Sequence, residues 1–371
     1  MKKWVKTPSL VLLLLTVGAV GGSGQVDVRL DSLLRAHHEA GFSGNVLFSR
    51  HDSILYTGSY GYENYASKTP LTDDSVFELA SCSKQFTALG ILQLIERGKL
   101  DSTTLLTDIF PELPYPGVTV VHLLRHQSGL PDYMGFMGNK KRWDYSKMAT
   151  NDDVIRLFAE HRPAADFAPG ERHQYSNTGY LLLASVIERV SGQSFADYLR
   201  ENVFEPAGMT DSRVYRRLYD ADRMPVPDHL TRGYSRRKPT KPLQLAHEVK
   251  GNDFYVWLDG IVGDGMVNST LADLERYKRA LRENRLISAE TKERMFSPDA
   301  VSTNYGYGVK TRTSETTGRT ILHTGSWAGY YTAMLYRPEV NEFIVVLTNN
   351  EYSGFGDLIR ATASITSEER P

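Results

Sequence analysis

The stretches that most restrict the fold stand at opposite ends of the chain. Near the start, "NVLFS" (45–49) and "ILYTGSYG" (54–61) are rich in strand formers and are separated by "RHDS", which reads as a hairpin. Two strands alone cannot bury a face. Their partners are expected at the far end, where "YGYGVKTR" (305–312), "RTILH" (319–323), "YYTAMLY" (330–336) and "FIVVLT" (343–348) have the same character. The pattern predicts one antiparallel sheet built from both chain ends.

Between the ends, most segments with a clear period read as helices: "KQFTALGILQLIERG" (84–98), "VVHLLRH" (120–126), "DDVIRLFAEH" (152–161), "GYLLLASVIERVSG" (179–192) and "LADLERYKRAL" (271–281). A further helix is expected in "VRLDSLLRAHHEAGF" (28–42), ending near Gly41. The fold class is therefore α+β: an antiparallel sheet flanked by helices, with a helical subdomain inserted. The sheet subdomain is expected over about 25–80 and 300–371, and the helical region over about 81–299. With 371 residues, 41% of them hydrophobic, the chain can bury a substantial core, and no repeat, low-complexity tract or flexible linker interrupts it.

Residues 1–24 are set apart from the fold, because Lys2, Lys3 and Lys6 precede an uncharged apolar run from Leu10 to Val20. This is a signal-peptide pattern, and the run is about half the ~20 residues that a spanning helix needs. A secreted or periplasmic protein without a stable membrane anchor is the expectation. The 43 basic and 44 acidic side chains nearly cancel, so no overall field would draw the chain to nucleic acid. Its most basic stretch, "RGYSRRKPTKPLQ" (232–244), contains two prolines and reads as a solvated loop. Cys82 is the sole cysteine, which rules out an internal disulfide and leaves a small packed side chain or a nucleophile.

The residues with chemistry begin in "ASCSKQFTALG" (80–90). A serine three positions before a lysine shares its helix face, so Lys84 can reach the hydroxyl of Ser81. A lysine, with a reference pKa of about 10.4, becomes a base where burial and a helix N-terminus ease loss of its proton. The Ser81 N–H at that terminus could donate to an oxyanion. The plain alternative is that Ser81 or Ser83 caps the helix. Ser235-Arg236-Arg237-Lys238 repeats the pattern in the basic loop, with no helix to align it. Downstream, "RHQYSNTGYLLL" (172–183) sets Tyr175 and Asn177 just ahead of an apolar helix, and "ILHTGSWAGYY" (321–331) sets His323-Thr324-Gly325 at the end of a predicted strand before a glycine-containing turn. Singly, the tyrosine also reads as a core aromatic and the histidine as a strand-end residue.

Taken in this order, Ser-x-x-Lys, Tyr-x-Asn and His-Thr-Gly resemble the penicillin-recognising serine hydrolases: class C β-lactamases, D-alanyl-D-alanine carboxypeptidases, and related esterases and D-amino-acid peptidases. "VVHLLRHQSGLPDY" (120–133), "FEPAGMTDS" (204–212) and "GDGMVNSTLADLERY" (263–277) also resemble family segments, so the likeness spans nearly all the chain beyond the leader. The resemblance implies that Ser81 is acylated, with Lys84 and Tyr175 sharing acid and base work. It implies that Asn177 holds the substrate's amide and orients Lys84. His323 and Thr324 would flank the site, and the Ser326 N–H would be a second oxyanion donor.

Two departures follow. His323 stands where the β-lactamase pattern has lysine, which resembles the carboxypeptidase and D-peptidase branch and weakens carboxylate binding there. Lys310 and Arg312 alternate onto one face of the preceding strand and either supply the missing charge or face solvent. The Ser-Asp-Asn element of class A enzymes is also missing, and Tyr175-Ser176-Asn177 fills its place. The sequence has neither a Gly-x-Ser-x-Gly elbow nor a His-Glu-x-x-His zinc site, so no cofactor or metal is expected. The predicted function is an exported serine hydrolase acting on a small peptide, amide or ester, with β-lactams as further candidates. A carboxypeptidase-like enzyme or D-amino-acid peptidase or amidase is the leading form. A carboxylesterase, a weak class C-like β-lactamase and a non-catalytic binder are the alternatives.

Overall fold

The computed structural model describes residues 23–236, 238 and 241–368. The predicted leader, 1–24, lies outside them apart from its last two residues, which open helix α1 (Ser23–Glu39) ahead of the expected start at Val28. Among the described residues, no helix is long and apolar enough to cross a membrane.

The strand-forming stretches of both ends share one sheet. It contains β1 (Gly44–Arg50), β2 (Ser53–Tyr60), β3 (Lys310–Ser314), β4 (Gly318–Trp327), β5 (Tyr330–Arg337) and β6 (Glu342–Thr348). All neighbours are antiparallel, in the spatial order β3-β4-β5-β6-β1-β2. The two ends of the chain meet where β1 pairs with β6, from Gly44 opposite Thr348 to Arg50 opposite Glu342. Both faces of the sheet are covered, which is why β6 is buried along its whole length and shows no polar alternation.

The expected helices of the middle are present as α2 (Lys84–Glu96), Val120–Leu124, Asn151–His161, α3 (Asn177–Ser191) and α4 (Leu271–Arg282). On one face of the sheet, Leu47, Met334 and Val345 join the main core with Phe86 and Leu89 of α2 and Leu274 of α4. On the other, Val46, Ala333 and Ile344 pack with Leu30 and Leu34 of α1 and Leu358 of α5 (Phe355–Glu368). Helix α5 escapes the periodic reading because its buried stripe, Leu358, Thr362 and Thr366, is mostly threonine.

Three expectations are corrected. The strand predicted from Tyr305 begins at Lys310, because Gly308, at φ 70°, turns the chain and Tyr305 bridges back to Lys310. Strand β4 does not stop at His323 but continues to Trp327, and the turn falls at Ala328-Gly329, whose φ angles of 45° and 90° suit a two-residue hairpin. The His-Thr-Gly triplet is therefore inside a strand. Since β3 pairs with β4 only as far as Leu322, residues 323–327 form an edge of the sheet. Finally, the basic stretch 232–244 is not wholly solvated: Tyr234 and Ser235 are buried in a short ladder with Gln244 and Leu245.

Candidate active site

Ser81 lies in a 3-10 turn, Ala80–Ser83, that runs into α2 at Lys84. Neither serine caps the helix with its side chain. Instead, the Ser83 hydroxyl accepts the Val267 N–H at 3.1 Å and ties the turn to a neighbouring strand. Ala80 has φ 48°, a left-handed conformation that costs a residue with a Cβ about 1–3 kcal/mol. Leu79 holds it there: its N–H donates to Val267 O at 2.8 Å and its carbonyl accepts from the Thr332 hydroxyl at 2.7 Å. Cys82 is packing, as its plain reading had it. It is buried, its Sγ lies 3.3 Å from His323 O, and burial pushes the thiol up to about 12.

Lys84 is fully buried. Its Nζ lies 3.2 Å from Ser81 Oγ, 2.9 Å from Asn177 Oδ1 and 2.7 Å from the backbone O of Asp264. The last two are pure acceptors. They hold Nζ beside the Ser81 hydroxyl, to which it also donates. Asn177 is the first residue of α3, and Ser176 caps that helix by accepting the Gly179 N–H at 3.3 Å. Tyr175, just before the cap, is 39% exposed, and its ring centre lies 5.0 Å from Lys84 Nζ.

His126, for which the sequence suggested no role, supports this turn from below. Its Nδ1 accepts the Ser176 N–H at 3.1 Å, and its ring centre is 4.3 Å from that of Tyr175. Burial, reinforced by the nearby Lys84 charge, holds its pKa well below the ordinary value, so it is a neutral prop.

Strand β4 closes the site. A Cβ on Gly325 would lie 2.5 Å from Leu79 O and 2.9 Å from Ser81 N, so only glycine allows the strand this close to the Ser81 turn. His323 does not act as a charged flank. Its Nδ1 lies 2.8 Å from Thr324 O and its Nε2 3.1 Å from Tyr305 Oη, which assigns donation from Nδ1 and acceptance at Nε2. Burial, with Lys84 nearby, pushes its pKa down to about 3, so the ring is neutral. Thr324 and Ser326 are exposed on the opposite face of the strand, and Lys310, opposite Leu322, shares that face. Lys310 reaches the cleft. Arg312 lies farther out opposite Thr320, exposed and away from it.

Ser81 and Ser326 stand between two hollows. One, of about 190 Å³, is walled by Tyr133, Met134, Leu258, Ile261, Met266 and Trp327, with Asn177 and Asp264 as its polar members. The other, of about 720 Å³, is bounded by Tyr175, Lys310, Thr324 and Tyr331 and by Phe355 and Ile359 of α5. Sequence reasoning missed Asp264, although it sits between two glycines in a segment already singled out. Burial raises its pKa, and its carboxylate accepts from the Tyr133 hydroxyl at 2.9 Å.

Comparison with known proteins supplies the family. The beta-lactamase family model matches residues 30–366. Penicillin-binding protein 4* of Bacillus subtilis (strain 168) is 42% identical over 315 residues, 84% of this chain and 68% of that protein. The D-aminopeptidase of Gluconobacter oxydans (strain 621H) is 24% identical over 328 residues, and the match covers 84% of this chain and only 56% of that protein. Among solved structures, a penicillin-binding protein from Bacillus halodurans superposes with a TM-score of 0.78 at 30% identity, covering 91% of this chain and 98% of its own. The match over residues 30–366 places this chain in the beta-lactamase family, as a serine hydrolase with the β-lactamase/transpeptidase-like fold.

Proposed function

We propose that the protein hydrolyses an amide or peptide bond at a D-configured terminus through an acyl-enzyme on Ser81. The observation that carries the acyl-enzyme step is the placing of Lys84 Nζ, 3.2 Å from Ser81 Oγ and fixed there by Asn177 Oδ1 and Asp264 O, while the likeness to a D-aminopeptidase supports the D-configured terminus. Ser81 Oγ attacks the carbonyl carbon and its proton passes to Lys84. The oxyanion is received by the N–H groups of Ser81 and Ser326, where one such donor is worth about 2.7–4 kcal/mol of barrier. Tyr175 protonates the departing nitrogen and is resupplied from Lys84. Water then attacks the ester, and its proton returns along the same groups.

Asn177 lies in the smaller hollow, beside the acyl half, and would meet a polar group of that half while orienting Lys84. Lys310 and Thr324 line the larger groove and would meet a carboxylate of the leaving half. No step calls for a cofactor. The basic and apolar residues 2–20 support action outside the cytoplasm. One observation favours small-ester hydrolysis as a second reading: the neutral His323 leaves the carboxylate subsite with one fewer charge, and an uncharged ester needs none.

The test joins intact-mass spectrometry with a fluorophosphonate to turnover of D-alanyl-D-alanine peptides, D-amino amides, short-chain esters and penicillins. The expected result is one covalent adduct, lost together with turnover in Ser81→Ala. An Ala variant that still cleaves the substrate would overturn the mechanism, and esters cleaved without any amide would favour the second reading.

A further inference from the structure

The two hollows beside Ser81 differ in a way that says which half of the substrate each takes. A leaving nitrogen must be protonated as the bond breaks, and Tyr175, the phenol assigned that step above, borders the larger groove with Lys310 and Thr324. The acyl half then belongs in the smaller hollow with Asn177. At about 190 Å³ this space is below the roughly 300–1,000 Å³ of pockets that enclose a drug-sized ligand. It suits a short acyl group, whereas the groove leaves room for a long leaving group.

Asp264 stands in the wall of that small hollow, 8% exposed, among Met134, Leu258, Ile261 and Met266. Lys84 makes no direct bond to this carboxylate: its charge acts on it from nearby, but Nζ bonds the backbone oxygen of Asp264 and is otherwise occupied by Ser81 and Asn177. Among the described side chains, the Tyr133 hydroxyl is the hydrogen-bond donor to this carboxylate. A desolvated carboxylate in apolar walls is costly unless a cation joins it. The α-ammonium of an amino acid is one carbon away from the carbonyl that Ser81 attacks, so it would lie in the same hollow as Asp264. An N-acylated residue would set a neutral amide against the carboxylate and would need additional room.

The geometry points to Asp264 as the residue that selects a free amino group on the acyl half, making the protein an enzyme that removes an amino-terminal residue. This rests on the amide-hydrolase reading above. It separates the two leading forms of that reading, since a carboxypeptidase needs a long, N-substituted acyl donor.

The experiment compares D-alanine p-nitroanilide with N-acetyl-D-alanine p-nitroanilide, with the L pair alongside. The natural protein should prefer the free amine by at least about tenfold in kcat/KM, the factor that one hydrogen bond to a charged group supplies. In Asp264→Asn the loss with the amine should exceed the loss with the acetylated substrate by a similar factor, moving the ratio toward one. Equal action of the natural protein on both substrates overturns the inference and needs no variant. So does an Asn variant that slows both substrates alike, which would make Asp264 a support for Lys84. Failure to cleave any anilide would instead overturn the amide-hydrolase reading, and this inference with it.

Discussion

The chain contains Ser-x-x-Lys twice, and the two copies have different fates. At 81–84 the serine is in a strained turn running into α2, and the lysine is buried with Nζ 3.2 Å from the hydroxyl. At 235–238 the serine is buried on a short strand, where its hydroxyl donates to Glu351, while Lys238 is exposed in a loop. Spacing is therefore permissive and no more. What makes the first copy a site is the helix that fixes the angle between the two residues, together with acceptors brought from Asn177 and Asp264, far along the chain.

The strongest way to break this comparison is to replace each lysine with methionine. Lys84→Met should lower kcat/KM by about 10²–10⁴-fold, the range of acid and base contributions. It should also lower the melting temperature, since the acceptors on Asn177 and Asp264 lose their donor. Lys238→Met should change neither. An active Lys84 variant would dissolve the distinction.

A smaller effect is expected at the remote acceptor. Asn177→Ala removes the 2.9 Å bond to Lys84, and a bond to such a group is worth about 1.5–3 kcal/mol, so kcat/KM should fall about 10–100-fold. A loss confined to KM would mean that Asn177 only binds substrate and does not orient the amine.

The smallest effect concerns the sealed histidine on β4. His323 has its pKa lowered from 6.5 to about 3, so between those values the unfolded chain binds a proton that the folded chain refuses. Stability from this group is thus present above about 6.5 and declines as the pH falls toward 3. His323→Gln keeps an acceptor for Tyr305 and should flatten part of the fall in urea midpoint between pH 7 and pH 5. An unchanged slope would mean that the ring is not sealed.

Much of this could be read beforehand, for identifiable reasons. The sheet was legible because β1, β2, β5 and β6 are rich in strand formers, and Ser81, Lys84, Tyr175 and Asn177 because their order repeats a family's. The inward turn of His323 was hidden, because it depends on Tyr305 lying behind the strand. Asp264 was hidden too, since nothing local says that an acid between glycines will close an apolar hollow. Lys310 and Arg312 share a strand face, but only the point at which β3 stops pairing with β4 puts the first in the cleft and the second outside it.

The seam between β1 and β6 also sets when the candidate site can assemble. On the ribosome, Ser81, Lys84 and Tyr175 are all made before the first residue of β4. Yet the Ser81 turn is held by Thr332, and Gly325 and Ser326 form the wall that faces it. The sheet that carries them closes only when Thr348 reaches Gly44. Pairing so distant in sequence forms late. A growing chain therefore carries Ser81 without the wall that faces it, and a premature stop before residue 348 removes that assembly along with part of the stability.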